Sequence, residues 1–152
     1  MDTAGFLIRE RGVIVEEAEH ALARLHERHY EAAGAAEVRQ RLDLLFDQLV
    51  GAVSARDLSR VVAYASAIAR ERFEAGYDLS EVQAAFNALE GATWSRILSD
   101  LEAGDLAEAL GLISTVLGAA KDALGREYVS LATHTRAPSL DLRALFAGTD
   151  GV

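Results

Sequence analysis

Proline occurs once in this chain, at Pro138, and apolar residues recur every three or four positions almost throughout the stretch before it. Proline is the strongest helix breaker, because it lacks a backbone N–H and its ring clashes with the preceding turn. A long, proline-free stretch with that period reads as a series of helices. No strand alternation competes with it. Val13, Ile14 and Val15 are β-branched neighbours, but the pattern around them is helical. The spacing predicts an all-α protein.

Five helices account for the pattern. The first runs from about Ala4 to Tyr30, with Gly12 as a candidate kink and an apolar stripe of Ile14, Ala18, Ala21, Leu22, Leu25 and His29. Gly34 separates it from a second, about Ala36 to Ser54, with Val38, Leu42, Leu45, Leu49 and Val53 facing inward. Asp57 caps a third, about Leu58 to Ala75, whose stripe is Leu58, Val61, Val62, Ala65, Ile68 and Phe73. Asp78 and Glu81 form a capping box that opens a fourth, about Leu79 to Glu102; each side chain there satisfies a backbone N–H that the helix leaves free. Gly104 is its expected stop, and Asp105 with Glu108 is a second capping box for a fifth helix, about Leu106 to His134.

Short connections favour antiparallel packing of chain neighbours. The expected architecture is a bundle of about five helices over residues 1–137, with a globin-like crossing of helices satisfying the same pattern. Residues 138–152 form a short amphipathic tail carrying Leu140, Leu142, Leu145 and Phe146. That tail either docks in a partner's groove or folds back on its own bundle.

Composition narrows the function. The chain has 152 residues, a net charge of −9 and no cysteine. Disulfides, thiolate metal sites and cysteine nucleophiles are therefore excluded. Its cations are spread along the chain, fourteen of them arginine, with Lys121 the single lysine. An acidic chain without a cationic cluster repels nucleic acid and anionic membrane. The early apolar run Phe6, Leu7, Ile8 ends at Arg9, too short for a secretory signal. No uninterrupted apolar stretch approaches the roughly 20 residues of a membrane helix, so a cytoplasmic protein is expected.

The side chains that could carry chemistry are sparse. His26 and His29 are three apart and could share a helix face around a metal. Glu17 and His20 make one Glu-x-x-His, but a di-iron carboxylate bundle needs a second, and none occurs. Haem needs a proximal histidine, and none lies between Tyr30 and Thr133. The serines sit singly in helices, outside any Gly-x-Ser-x-Gly elbow, and no Gly-Lys-Ser or Gly-Lys-Thr phosphate loop is present. Tyr64, Phe86 and Trp94 could line a small-molecule pocket; at helical spacing such aromatics are more often core. No catalytic, cofactor-binding or metal-ligating residue is assigned, and no cofactor is expected.

The segment from Arg70 to Glu90 carries a family resemblance. It reads Ala69-Arg70-Glu71-Arg72-Phe73-Glu74-Ala75-Gly76, then Tyr77-Asp78-Leu79-Ser80-Glu81-Val82, then Ala85-Phe86-Asn87-Ala88-Leu89, with an upstream Arg41-Leu42-Asp43-Leu44-Leu45-Phe46. Over roughly Phe6 to Leu131 the chain resembles the RsbRD-type N-terminal domains of RsbT co-antagonists in bacterial stress signalling. The resemblance implies an all-helical sensory or regulatory module, often dimeric and usually joined to an output domain. The chain stops soon after Pro138, so it is either a stand-alone regulator or a piece of a longer protein.

The function expected is that of a non-enzymatic signalling domain working through protein–protein contacts, with a signalling protein as partner and as a homodimer. The alternative is a small-molecule- or metal-binding helical bundle. Arg70, Glu71, Phe73, Tyr77 and Asp78 are the expected points of surface coupling.

Overall fold

Helix ends in this chain are set by a few backbone positions that leave the right-handed region. In the computed structural model, which describes residues 1–136, the helices are α1 (Thr3–Arg24), α2 (Arg28–Ala33), α3 (Ala35–Ala55), α4 (Ser59–Glu74), α5 (Leu79–Asp100) and α6 (Ala103–Arg136). There is no strand among the described residues. The expected tail at Leu140, Leu142, Leu145 and Phe146 lies outside them.

The first expected helix is two. α1 tightens over its last turn, with Leu25 N–H donating to Leu22 O and His26 N–H to Ala23 O, and His26 then takes φ 54°. Histidine is among the few residue types enriched in that conformation. Its Nδ1 lies 2.6 Å from Glu31 Oε1, which ties the break to α2. No glycine or proline announces this break. Gly12, the expected kink, lies inside a continuous α1.

Two further boundaries differ from expectation. Gly104 does not stop α5; it sits in the first turn of α6, and the link is Leu101, extended at ψ 146°, with Glu102. Asp105 N–H donates to Glu102 O at 2.9 Å, while Glu108 pairs with Arg56 at 3.1 Å, so no second capping box forms. Asp57 does cap the start of α4, its Oδ1 accepting from Ser59 N–H at 2.9 Å.

The heaviest pairings skip chain neighbours: α6 packs most on α4, and α1 on α5 and α3, with α5 joining α6. Consecutive α3 and α4 touch much less, and α4 and α5 less still. Of the expected neighbour pairs, the first two long helices (α1 and α3) and the last two (α5 and α6) do pack together, whereas α3–α4 and α4–α5 give way to the longer-range pairs α4–α6 and α1–α5. α5 is central, and Val82, Phe86, Leu89, Thr93 and Ile97 are all buried. The Thr93 hydroxyl is satisfied by donating to Leu89 O at 2.8 Å. Leu25, expected on the stripe, is exposed because α1 has already ended.

By length and mean hydropathy α6 does reach the range of a membrane span, contrary to expectation. Its buried residues Ala109, Ile113, Leu117, Ala120, Leu124 and Tyr128 nevertheless recur at helical spacing and belong to the core.

Gly76, at φ 87°, makes the turn from α4 into α5. A Cβ there would meet nothing closer than His29 Nε2 at 3.9 Å, so space is not the constraint and the dihedral is. Gly76→Ala is expected to cost about 1–2 kcal/mol, lowering Tm by roughly 3–8 °C. An unchanged Tm would show that the turn has another conformation.

Candidate functional site: a buried knot and a cleft beside it

The expected capping residue Glu81 does more than cap. It is buried, and its carboxylate accepts from Asp78 N–H at 3.1 Å and from His29 N–H at 3.2 Å. His29 Nδ1 lies 2.7 Å from Oε1 and 2.9 Å from Oε2. A carboxylate facing Nδ1 holds a proton on that nitrogen. Glu81 therefore joins α2 to the start of α5 across 52 residues of chain. Burial alone would raise its pKa; the Asp78 and His29 donors outweigh that and hold it below the usual glutamate range.

Aromatic rings close the knot. Tyr77 stacks on His29 with centroids 4.4 Å apart, and Tyr30 meets Tyr77 edge-on at 5.6 Å. Arg41 Nη1 donates to Tyr77 Oη at 2.8 Å. The Arg41 and Arg72 guanidiniums lie 5.7 and 5.6 Å from the Tyr77 ring centre, within cation–π range. From α6, Tyr128 Oη donates to Tyr77 O at 3.0 Å, and its ring packs edge-on against Phe73.

Arg72 is the unexpected member. It falls on the buried stripe of α4 with Val61, Ala65 and Ala69, and its side chain is 7% exposed. Its Nη1 reaches Glu71 at 2.6 Å, a carboxylate 68% exposed at the surface. Burial raises the Tyr30 and Tyr64 hydroxyls, and pushes Tyr128 up to about 12, with the Arg72 charge pulling the other way in each. All three remain protonated donors near neutrality. The Ala65, Ala69, Arg72 spacing was the available signal for this buried cation.

Of the expected coupling residues, Arg70, Glu71 and Asp78 are exposed and Phe73 is half-buried, whereas Tyr77 is buried in the knot rather than on the surface. Arg70 Nε is 2.8 Å from Glu127 Oε1 on α6. His26 and His29 do not share a helix face: the first lies in the α1–α2 break, and each faces a different glutamate. Tyr64 and Phe86 line one internal cavity of about 30 Å³, but Trp94 does not; it lies 37% exposed at the bundle edge.

Because its pKa is lowered in the folded state, Glu81 contributes stability that is present above the ordinary glutamate range and lost as pH falls through the lowered value. The stability gap between the wild type and Glu81→Gln is expected to be widest near neutral pH and to close on acidification, as read by chemical denaturation at each pH. A gap independent of pH would show that Glu81 is not charged in the knot. Asp78→Ala, which removes only an exposed cap, should cost about 1 kcal/mol. Glu81→Ala should cost more, roughly 2–4 kcal/mol, since it strips a buried hydrogen-bonded charge from His29.

Comparison with known proteins places this arrangement. The model of the RsbT co-antagonist protein rsbRD N-terminal domain matches residues 12–144. No curated protein and no solved structure matches the chain. The matched span takes in part of α1 and all of α2 to α6, with the whole knot. The chain therefore belongs to the RsbRD N-terminal domain family, a family of stressosome-type signalling domains.

Proposed function

We propose that this chain is a non-enzymatic, cytoplasmic input module over residues 1–137, acting on a partner protein of an RsbT signalling pathway and working as a homodimer. The family match carries the signalling reading. The knot supports a regulatory rather than catalytic role. Its acid–base groups are spent on one another and on the backbone, with His29 committed to Glu81 and Tyr128 donating to the Tyr77 carbonyl.

The dimer reading rests on α6. Gly104, Gly111, Gly118 and Gly125 recur at seven-residue intervals. A Cβ at any of them would meet nothing within 4 Å. Each such glycine inside a helix costs roughly 0.5–1 kcal/mol relative to alanine, and nothing among the described residues packs against them in return. A seven-residue repeat of small side chains keeps one face of a helix aligned along a supercoiled partner helix. A second α6 in antiparallel or parallel register is the simplest such partner.

Signal transfer follows the packing. Arg72, Tyr77 and Tyr128 link α4, the α4–α5 turn and α6, so a shift in α4 changes the face that α6 presents.

Two measurements test this reading. Analytical ultracentrifugation should give a dimer for the wild type and a monomer for Gly111→Leu with Gly118→Leu, at an unchanged or higher Tm. A monomeric wild type at micromolar concentration would remove the dimer. Co-expression with the RsbT-pathway partner should give a complex that Arg70→Glu with Glu71→Arg weakens while the fold is kept; no complex under any condition would remove the partner reading.

A further inference from the structure

The cleft between α3 and α4 leads inward to the cavity that Tyr64 and Phe86 line. The outer cleft, about 350 Å³, and the inner cavity, about 30 Å³, share four residues: Arg41, Tyr64, Ile68 and Arg72. The shared waist therefore carries two guanidiniums and a protonated phenol. The inner end is apolar, formed by Leu22, Val38, Leu45, Val82 and Phe86. A cationic waist joined to a small apolar chamber has the shape of an amphipathic ligand with an acidic head.

We propose that this cleft binds small aliphatic monocarboxylates, head on Arg41 and Arg72 and tail in the chamber. Three observations set the class. First, the guanidiniums keep donors to spare: Arg41 spends Nε on Glu37 and Nη1 on Tyr77, and Arg72 spends Nη1 on Glu71. Guanidinium presents a fork suited to bidentate capture of a carboxylate. Second, the charge is asymmetric. Arg72 is 7% exposed, while Glu71 and Glu37 are 68% and 47% exposed. Water screens the carboxylates at the mouth far more than the Arg72 guanidinium inside, so the positive charge is the less screened of the two at the waist. The same glutamates flank the entrance, which disfavours a doubly charged head such as phosphate. Third, the chamber is small. It accommodates a short aliphatic end rather than a ring or a long chain, since a single water already needs roughly 10–15 Å³.

Burial of the head also has a favourable balance. Arg72 is a buried cation whose one hydrogen-bond partner among the described residues is a surface carboxylate. That partner is screened by water, so it compensates the buried charge only in part. A ligand carboxylate placed between Arg41 and Arg72 supplies that compensation, and Tyr64, kept protonated by burial, adds a donor.

This site would give the proposed input module its input, but its test reads ligand binding alone, so either reading can fail without the other. The probe is hexanoate, titrated into the full chain and followed by methyl NMR. The expected result is saturable shifts at Val38, Leu42, Leu45 and Val82, with Val129 and Leu98 unmoved. Binding should be roughly tenfold or more weaker for hexanol, which lacks the charge, and for Arg41→Gln. Leu44→Glu keeps the test valid if Arg41→Gln disturbs the fold, because Leu44 lines the mouth and is 48% exposed; it should weaken hexanoate similarly and leave hexanol unchanged. No saturable shift with hexanoate overturns the proposal. Equal binding of hexanol reduces the site to an apolar cavity, and equal binding of inorganic phosphate reduces it to an anion patch; each outcome also overturns it.

Discussion

The Glu81 carboxylate is the interaction on which the arrangement of this domain turns. It is a single buried charge that receives donors from two chain segments, His29 in α2 and Asp78 at the head of α5. Without it, α2 would be a helix of six residues with no side-chain cap, too short to persist alone. With it, α2 is held against the α4–α5 turn, and Tyr30 and His29 deliver their rings to Tyr77. The local cap and the tertiary clasp are the same carboxylate, so helix start and domain closure form together.

A buried charge of that kind needs its surroundings arranged around it. Arg41 and Arg72 lie within cation–π range of the Tyr77 ring, and Tyr128 reaches in from α6 to the Tyr77 carbonyl. His29, Glu81, Tyr77 and Tyr128 each satisfy a neighbour, and only the two guanidiniums keep donors beyond the cluster. Such a polar cluster specifies one geometry more than it adds stability. That is the economy of a regulatory domain: polar side chains spent on defining a conformation whose displacement can be read elsewhere.

Much of this was legible from residues alone. The helical period gave the all-α class, and the α3 stripe Val38, Leu42, Leu45, Leu49, Val53 is buried in full. The Asp78–Glu81 box marked the start of α5, because capping chemistry is local in sequence. The α1–α2 break was not legible, since it rests on a left-handed histidine tied to Glu31, with no glycine or proline to show it. Gly104 misled for the opposite reason: glycine stops a helix only where a left-handed residue is needed, and the α5–α6 link uses extended Leu101 instead. The pairing of His29 with Glu81 was out of reach because a contact across 52 residues depends on packing. Periodicity reports which face is inward and is silent on which charged residue will be found there, as Arg72 illustrates.

The unequal seams of the fold decide where a perturbation can go. α4 is packed heavily on α6 and only lightly on α3. Separating α3 from α4 sacrifices little buried apolar area, whereas separating α4 from α6 would open the core around Ala65, Ala69, Leu117 and Leu124. Anything wedged into the α3–α4 cleft therefore moves α4 and α6 as one body relative to α3, instead of loosening α4 from α6. Arg70 reinforces that body by bonding Glu127 across the same seam. The soft seam lies beside the charged waist, and the stiff seam leads to the glycine face of α6. A ligand at the first site would consequently be read at the second through rigid displacement, with no need for any helix to unfold.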